Sequence, residues 1–340
     1  MKKHVNIPIF IPHLGCPNQC VFCNQRSITG RDHFNPDSVK DLIEDALSTV
    51  SEETETEIAF FGGSFTGIDY SLMCRLLEIA YSYVVSGKVK SIRCSTRPDY
   101  IDEKILDTLM KYGVRVIELG LQSSSDDVLM ATKRGHTFEA ERKAVKMIKD
   151  RGFSLIGQMM IGLPESTLQK ELETARFICD SGADGARVYP TVVFRKTELC
   201  EMAERQEYIP LTEEEAIDRT AAVLRLFYQS GVKVIRVGLC ASENLSSPDA
   251  YYAGPNHVAL GELCENRVFY TLIKEKLTKM MLSEKAFVTV KVPSGALSKA
   301  IGQKRNNKLR LISEFSLSGL SFVEEGFLSG YEVECEERKI

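Results

Sequence analysis

The sequence predicts an α/β protein whose βα units curl into a partial or full (β/α) barrel, followed by a small C-terminal α+β module. Three observations predict this. Apolar, β-rich runs recur with helix-period segments between them, the pattern of a parallel sheet wound by crossover helices. The loops that follow these runs carry the residues with chemical character, and in such a sheet they converge on the mouth at the strands' C-terminal ends. Past residue 285 the order changes to strand, helix, turn, helix, strand.

In chain order, the strands are NIPIFIP, EIAFFG, SIRCST, RVIELGL, LIGQMMIG and ARVYPTVVF. Helical segments are expected near residues 36 to 50, 70 to 85, 102 to 112, 138 to 151 and 167 to 182. Pro36 and Asp37 suit a first helical turn, and Gly113, Gly152 and Gly182 stand where a left-handed cap ends a helix. A further helix around 213 to 230 and a strand around 232 to 239 precede ASENLSSPDAYYAGPN, which reads as a loop. The expected division is a barrel over 1–240, a linker and helical connector over 241–284, and the α+β module over 285–340.

The chain has 340 residues, 44% hydrophobic and 26% charged, enough for one barrel-sized domain and a smaller one. Pro8 and Pro12 interrupt the apolar N-terminal run and no small-residue cleavage site follows, so no leader is expected. No run approaches the ~18 apolar residues of a membrane helix. The expected setting is cytoplasmic, with no membrane partner. Thiols stay reduced there, so the ten cysteines read as metal ligands or small buried hydrophobes. Cys74, Cys94, Cys179, Cys200, Cys240, Cys264 and Cys335 are scattered singly and read as core.

The stretch GCPNQCVFCNQ is different, because it sets Cys16, Cys20 and Cys23 within eight residues. Zinc commonly takes four ligands in two CxxC pairs, and a second pair is missing. Three thiolates instead suit a four-iron, four-sulfur cluster with one iron left open for a small molecule. Gly62 and Gly63, directly after the second strand, would let the backbone approach a ligand.

The CxxxCxxC spacing, with the aromatic Phe22 before the last cysteine, resembles the radical S-adenosylmethionine (SAM) superfamily. CVFCNQRSITG, FFGGSFTG, STRPDYI, ELGLQSSSDDVL, KRGHT, MMIGLP and VYPTVVFRKTEL resemble, in order and spacing, the radical SAM domain of the catalytic subunit of Elongator, a transfer-RNA (tRNA) modifying enzyme. The resemblance covers roughly residues 5 to 230. It implies that Cys16, Cys20 and Cys23 ligate a [4Fe-4S] cluster whose open iron binds SAM. Reductive cleavage of SAM would then give a 5'-deoxyadenosyl radical, with electrons from a donor such as ferredoxin or flavodoxin. It also implies that Phe22, Gly62, Gly63 and Ser64 lie beside SAM, and that Arg97, Gln122 and Ser123 line the cavity.

Chemically, Arg97 would suit a carboxylate clamp or a salt bridge to a neighbouring carboxylate. His136 reads as a proton relay or as a cap, and Tyr189, Arg195 and Lys196 as substrate contacts or a solvated rim. Asp126, Asp127, Glu139 and Glu141 suit helix starts without catalytic duty. The likeness stops short of Elongator's acetyltransferase domain, so its product is not expected here.

The segment from Lys285 to Arg310 carries seven cations and no Asp or Glu in a protein of net charge -4. Its order of elements looks like KH modules, in which a GxxG turn clamps a nucleic-acid backbone. Here Gly302 is present and Arg305 replaces the second glycine. RNA is therefore an expected partner, and the leading expectation is a radical SAM enzyme acting on RNA, namely tRNA. The alternatives are radical chemistry on a porphyrin or other metabolite, and a noncatalytic iron-sulfur RNA-binding regulator.

Overall fold

A computed structural model describes residues 4–11, 14–16, 20–24, 34–51, 53–239 and 247–338. Seven parallel strands form the main sheet: β1 (His4–Ile11), β2 (Glu55–Gly62), β3 (Ser91–Thr96), β4 (Val114–Gln122), β5 (Ser154–Ile161), β6 (Gly185–Pro190) and β8 (Lys233–Val237). Six of them stand side by side in chain order, with β8 beside β6. Among the described residues β1 and β8 are the two edges, so the sheet is a partial barrel rather than a closed one.

Strand periodicity explains which face is which. Residues at every second position, Ile7, Ile9 and Ile11, Ile58 and Phe60, Ile92 and Cys94, Ile117 and Leu119, are buried in one apolar core with Leu76, Leu106, Ile148 and Ile178 of the crossover helices. The intervening positions turn the other way and are polar. There Glu57, Arg93, Glu118, Gln158 and Arg187 are linked across five strands.

The crossover helices lie close to their expected bounds: Val39–Ser48, Tyr70–Val85, Glu103–Lys111, Phe138–Asp150 and Leu168–Asp180. Gly113, Gly152 and Gly182 follow three of them with φ of 74°, 76° and 65°, the left-handed conformation that glycine adopts most cheaply.

The stretch read as a loop differs. Residues 241–246 lie outside the described residues, but β9 (Tyr251–Ala253) pairs antiparallel with β7 (Val193–Phe194). Tyr252 and Ala253 then pack against Val21, Val193, Leu199 and Tyr208, so this return segment covers the loop that carries the cysteines. Helix Leu260–Lys279 serves two cores. Its Leu260, Cys264 and Val268 pack with Ile217 and Leu224, whereas Phe269, Ile273 and Leu277 belong to the core of the C-terminal module.

That module follows the strand, helix, turn, helix, strand order. β10 (Phe287–Pro293) lies between β11 (Gly319–Glu325), parallel to it, and β12 (Glu334–Glu337), antiparallel. Helices Leu297–Ile301 and Asn306–Glu314 join β10 to β11. No helix among the described residues is long and apolar enough to cross a membrane.

Candidate active site

The loops after the first four strands meet around a cavity of about 630 Å³ at the strands' C-terminal ends. Cys16, Cys20, Phe22 and Cys23 line it from the first loop and Gly62, Gly63 and Ser64 from the second. Arg97, Gln122 and Arg134 line it from the loops beyond, and Lys196 and Glu198 stand at its rim.

Glycines lock the first two loops together. A Cβ at Gly63 would lie 2.2 Å from the Leu14 carbonyl oxygen, and one at Gly15 would lie 2.1 Å from that of Ser64. Gly67 is held likewise against the Gly15 carbonyl, at 2.3 Å. Part of the reason for the glycine pair is therefore this backbone contact, which fixes the cysteine loop against the sheet. Hydroxyls then tie the second loop to the third. Thr96 Oγ1 is 2.8 Å from Ser64 Oγ and 2.6 Å from Thr66 Oγ1, and the Arg97 amide donates to Ser64 Oγ at 3.3 Å.

Cys20 is buried, and two buried guanidiniums reach its sulfur. Arg134 Nη1 lies 3.3 Å and Arg97 Nη1 3.8 Å from Cys20 Sγ. Burial raises the Cys16 thiol above its ordinary value, opposed by a backbone hydrogen bond involving Ser64 and by the same two arginines. Buried thiols facing buried cations form a donor set suited to an anionic metal-sulfur group. Among the described residues no three His, Cys, Asp or Glu side chains converge as on a single ion, while the three cysteines share one cavity, an arrangement open to a cluster with several metal corners. Gln122 supports a bound polar group as well. It is held at φ 72°, costly for a residue with a Cβ, and its Oε1 is buried with no hydrogen-bond partner.

Several sequence readings are resolved or corrected by the structure. Arg97 lines the cavity, and of its two readings the salt bridge to a neighbouring carboxylate holds: its bidentate edge engages Asp99, with Nε 2.9 Å from Oδ1 and Nη2 2.8 Å from Oδ2. Its Nη2 also donates to the Arg134 carbonyl, so Nη1 is the part that faces Cys20. Ser123 does not line the cavity. After the left-handed turn at Gln122 its hydroxyl accepts the Ser125 amide at 3.2 Å, at the start of helix Asp126–Ala131. Glu141 stands in the first turn of its helix as expected, but it is fully buried there, and His136 Nε2 lies 3.0 Å from its Oε1. His136 thus stands behind Arg97 rather than in the cavity, with Nδ1 3.6 Å from Asp99 Oδ1.

Arg195 is an anchor of the return segment, donating from Nε to the Pro248 carbonyl at 2.9 Å and lying over the Tyr252 ring. Tyr189 faces Arg187 in the polar concave surface, and burial raises its phenol. Nine cysteines are described and all are free thiols; Cys94, Cys200 and Cys264 are buried as expected of core residues. Cys240 lies outside the described residues. Sequence reasoning missed Arg134, Asp99 and Gln158, whose roles come from long-range register.

The family profile of the Radical SAM superfamily matches residues 10–178, and that of the Radical_SAM C-terminal domain matches 183–269. The tRNA uridine(34) acetyltransferase of Methanocaldococcus jannaschii is 31% identical over 244 residues, 60% of this chain and 45% of that protein. Elongator complex protein 3 of Saccharomyces cerevisiae is 33% identical over 151 residues, 44% of this chain and 27% of that protein. This chain therefore spans about half or less of the curated relatives it matches. Among solved structures, the archaeal Methanocaldococcus infernus Elp3 with an N-terminal deletion superposes with a TM-score of 0.63, at 24% identity, covering 81% of this chain and 64% of that one, a likeness of fold. With two consecutive family profiles spanning the partial barrel and its flanking helices, the chain belongs to the radical SAM enzyme superfamily.

Proposed function

We propose that Cys16, Cys20 and Cys23 hold a [4Fe-4S] cluster and that the protein reductively cleaves SAM in order to modify RNA, specifically tRNA. The observation that carries this reading is the placement of all three cysteines in one cavity with Gly62, Gly63 and Ser64, under two guanidiniums aimed at Cys20. When bound, the cluster and SAM supply one-electron cleavage to a 5'-deoxyadenosyl radical, with electrons from a donor such as ferredoxin or flavodoxin. The chain's own residues hold and shield the site. The glycine-locked loops fix the cysteines, Phe22 and the return segment restrict water, and Gln122 offers a buried acceptor to a polar ligand group. Free thiols and the absence of a membrane-crossing helix among the described residues suit a reducing, cytoplasmic setting.

The RNA part is supported by the relative named tRNA uridine(34) acetyltransferase and by the C-terminal module over residues 285–338. There the turn after Gly302 puts Lys304 and Arg305 at φ 51° and 64°, so Arg305 adopts the backbone that a second glycine would take freely. Both side chains are exposed, beside the half-buried Lys308, and can meet phosphates.

The test is anaerobic reconstitution with iron and sulfide, followed by reductant and SAM with and without bulk tRNA. Formation of 5'-deoxyadenosine that rises with tRNA and vanishes in Cys20→Ala is expected. A wild-type protein that binds no cluster, or that binds one and leaves SAM intact, overturns the reading.

A further inference from the structure

We propose that Arg97 and Arg134 are positioning residues that clamp the Cys20 sulfur and raise the reduction potential of the cluster; the inference rests on the cluster assignment above. Both guanidiniums are buried, and each directs an Nη1 at the same sulfur from a different loop. Neither is free to swing away. Arg134 Nη2 donates to the Gly120 carbonyl at 2.5 Å, and Arg97 is fixed by Asp99 and by the Arg134 carbonyl.

The local charges favour an anion at that sulfur. Two cations stand there, and the carboxylate paired with one of them, Asp99, lies on the side of Arg97 opposite Cys20 in bonding terms, since Nε and Nη2 serve Asp99 and Nη1 serves the thiol. Two buried like charges that share a target are costly unless negative charge sits between them. A cluster on three thiolates is anionic, and one-electron reduction adds a further negative charge at the same place. Donors and positive charge at a ligating sulfur stabilise the reduced form more than the oxidised one, and so raise the potential. The electron comes from the external reductant, and no bond to either arginine forms or breaks. His136 and Glu141 lie behind Asp99 and Arg97, and they hold this wall rather than touch the sulfur.

The experiment is an EPR-monitored redox titration of the reconstituted full chain, in parallel with iron counting. Arg134→Gln is expected to retain its iron while the reduced-to-oxidised ratio at a fixed potential falls about tenfold, equivalent to a downward shift of about 59 mV for a one-electron couple. Arg134→Lys, which keeps the charge, should recover part of the shift. A second measurement needs no variant: wild-type protein labelled with 15N-arginine should show weak 15N coupling to the reduced cluster in pulsed EPR. An iron-replete Arg134→Gln of unchanged potential, or a wild-type cluster without 15N-arginine coupling, overturns the clamp alone. Should Arg134→Gln fail to fold, the labelled wild type decides. A wild-type protein without any iron-sulfur signal overturns the cluster assignment and the clamp with it.

Discussion

Glu141 and His136 face each other at 3.0 Å with both side chains closed off from solvent, although Glu141 stands in the first turn of a helix where an exposed carboxylate would be at ease. Burial outweighs the histidine and raises the Glu141 carboxyl to about 7. Its Oε2 makes no hydrogen bond, so the ionised form is only half accommodated.

The consequence is a pH dependence of stability. Because the native carboxyl ionises later than in the unfolded chain, the native state binds more protons between the ordinary glutamate value and about 7, and stability falls as pH rises through that window. The shift corresponds to about 3 kcal/mol. Glu141→Gln should flatten this part of the curve, measured by urea unfolding at a series of pH values. Asp99 acts at the opposite end: burial would raise its carboxyl, but the hydrogen bonds and charge of His136 and Arg97 outweigh it and hold the carboxyl below the usual range, so its contribution is lost as pH falls. Wild-type and Glu141→Gln curves that run parallel between pH 5 and pH 7 would exclude this account.

Glu118 is the hinge of the polar concave face. Arg93 Nη1 lies 3.0 Å from its Oε1, Arg187 Nε 2.7 Å from its Oε2, and Gln158 Nε2 3.1 Å from the same Oε2. Removing that charge leaves the buried Arg187 guanidinium without its carboxylate and Arg93 with Glu57 alone, which costs about 3 to 5 kcal/mol. Glu118→Gln should lower the unfolding free energy by that order, and adding Arg187→Met should restore part of it. The check is chemical denaturation of both variants, with additive losses counting against the network.

How much of this was legible in the sequence follows from range. The strands were readable because apolar residues recur at alternate positions, and the helices because Pro36, Gly113, Gly152 and Gly182 mark their ends. The cysteine spacing is local too. By contrast, Arg134 becomes a partner of Cys20 only because β4 and the loop after it bring together residues 114 apart in the chain. The C-terminal cations illustrate the same limit. As sequence they form one stripe, but register sets Lys291 against Glu336 at 2.6 Å, and packing sets Lys299 against Glu265 at 2.8 Å. Likewise Tyr251–Ala253 has no strand signal of its own length and gains order by pairing with Val193–Phe194.

The glycine lock predicts position-specific losses. At Gly63 a methyl group would meet the Leu14 carbonyl at 2.2 Å, and backbone cannot yield as a side chain would. At Gly152 nothing lies within 4 Å, so alanine there meets only the strain of φ 76°, about 1 kcal/mol. Gly63→Ala should therefore displace the cysteine loop and bind several-fold less iron on reconstitution, while Gly152→Ala loses a little stability and binds iron normally. Equal iron content in the two proteins would mean that the lock does not hold the cysteines.

The RNA reading of the module makes a discriminating prediction, because its cations are not equivalent. Lys291 and Lys299 are paired with carboxylates and Arg310 is paired with Glu314 at 2.9 Å, whereas Lys304 and Arg305 are exposed on the left-handed turn beside Lys308. A phosphate contact contributes about 0.7 to 0.9 to the slope of log affinity against log salt. Replacing Lys304, Arg305 and Lys308 together by alanine should weaken tRNA binding and make that slope shallower by about 2 to 3, whereas Lys291→Ala should leave it nearly unchanged. Filter binding or fluorescence anisotropy across a salt series measures both. A triple variant with the wild-type slope would remove this turn from the RNA interface, and an equal effect of Lys291→Ala would show that net charge, rather than the geometry of the turn, draws the nucleic acid.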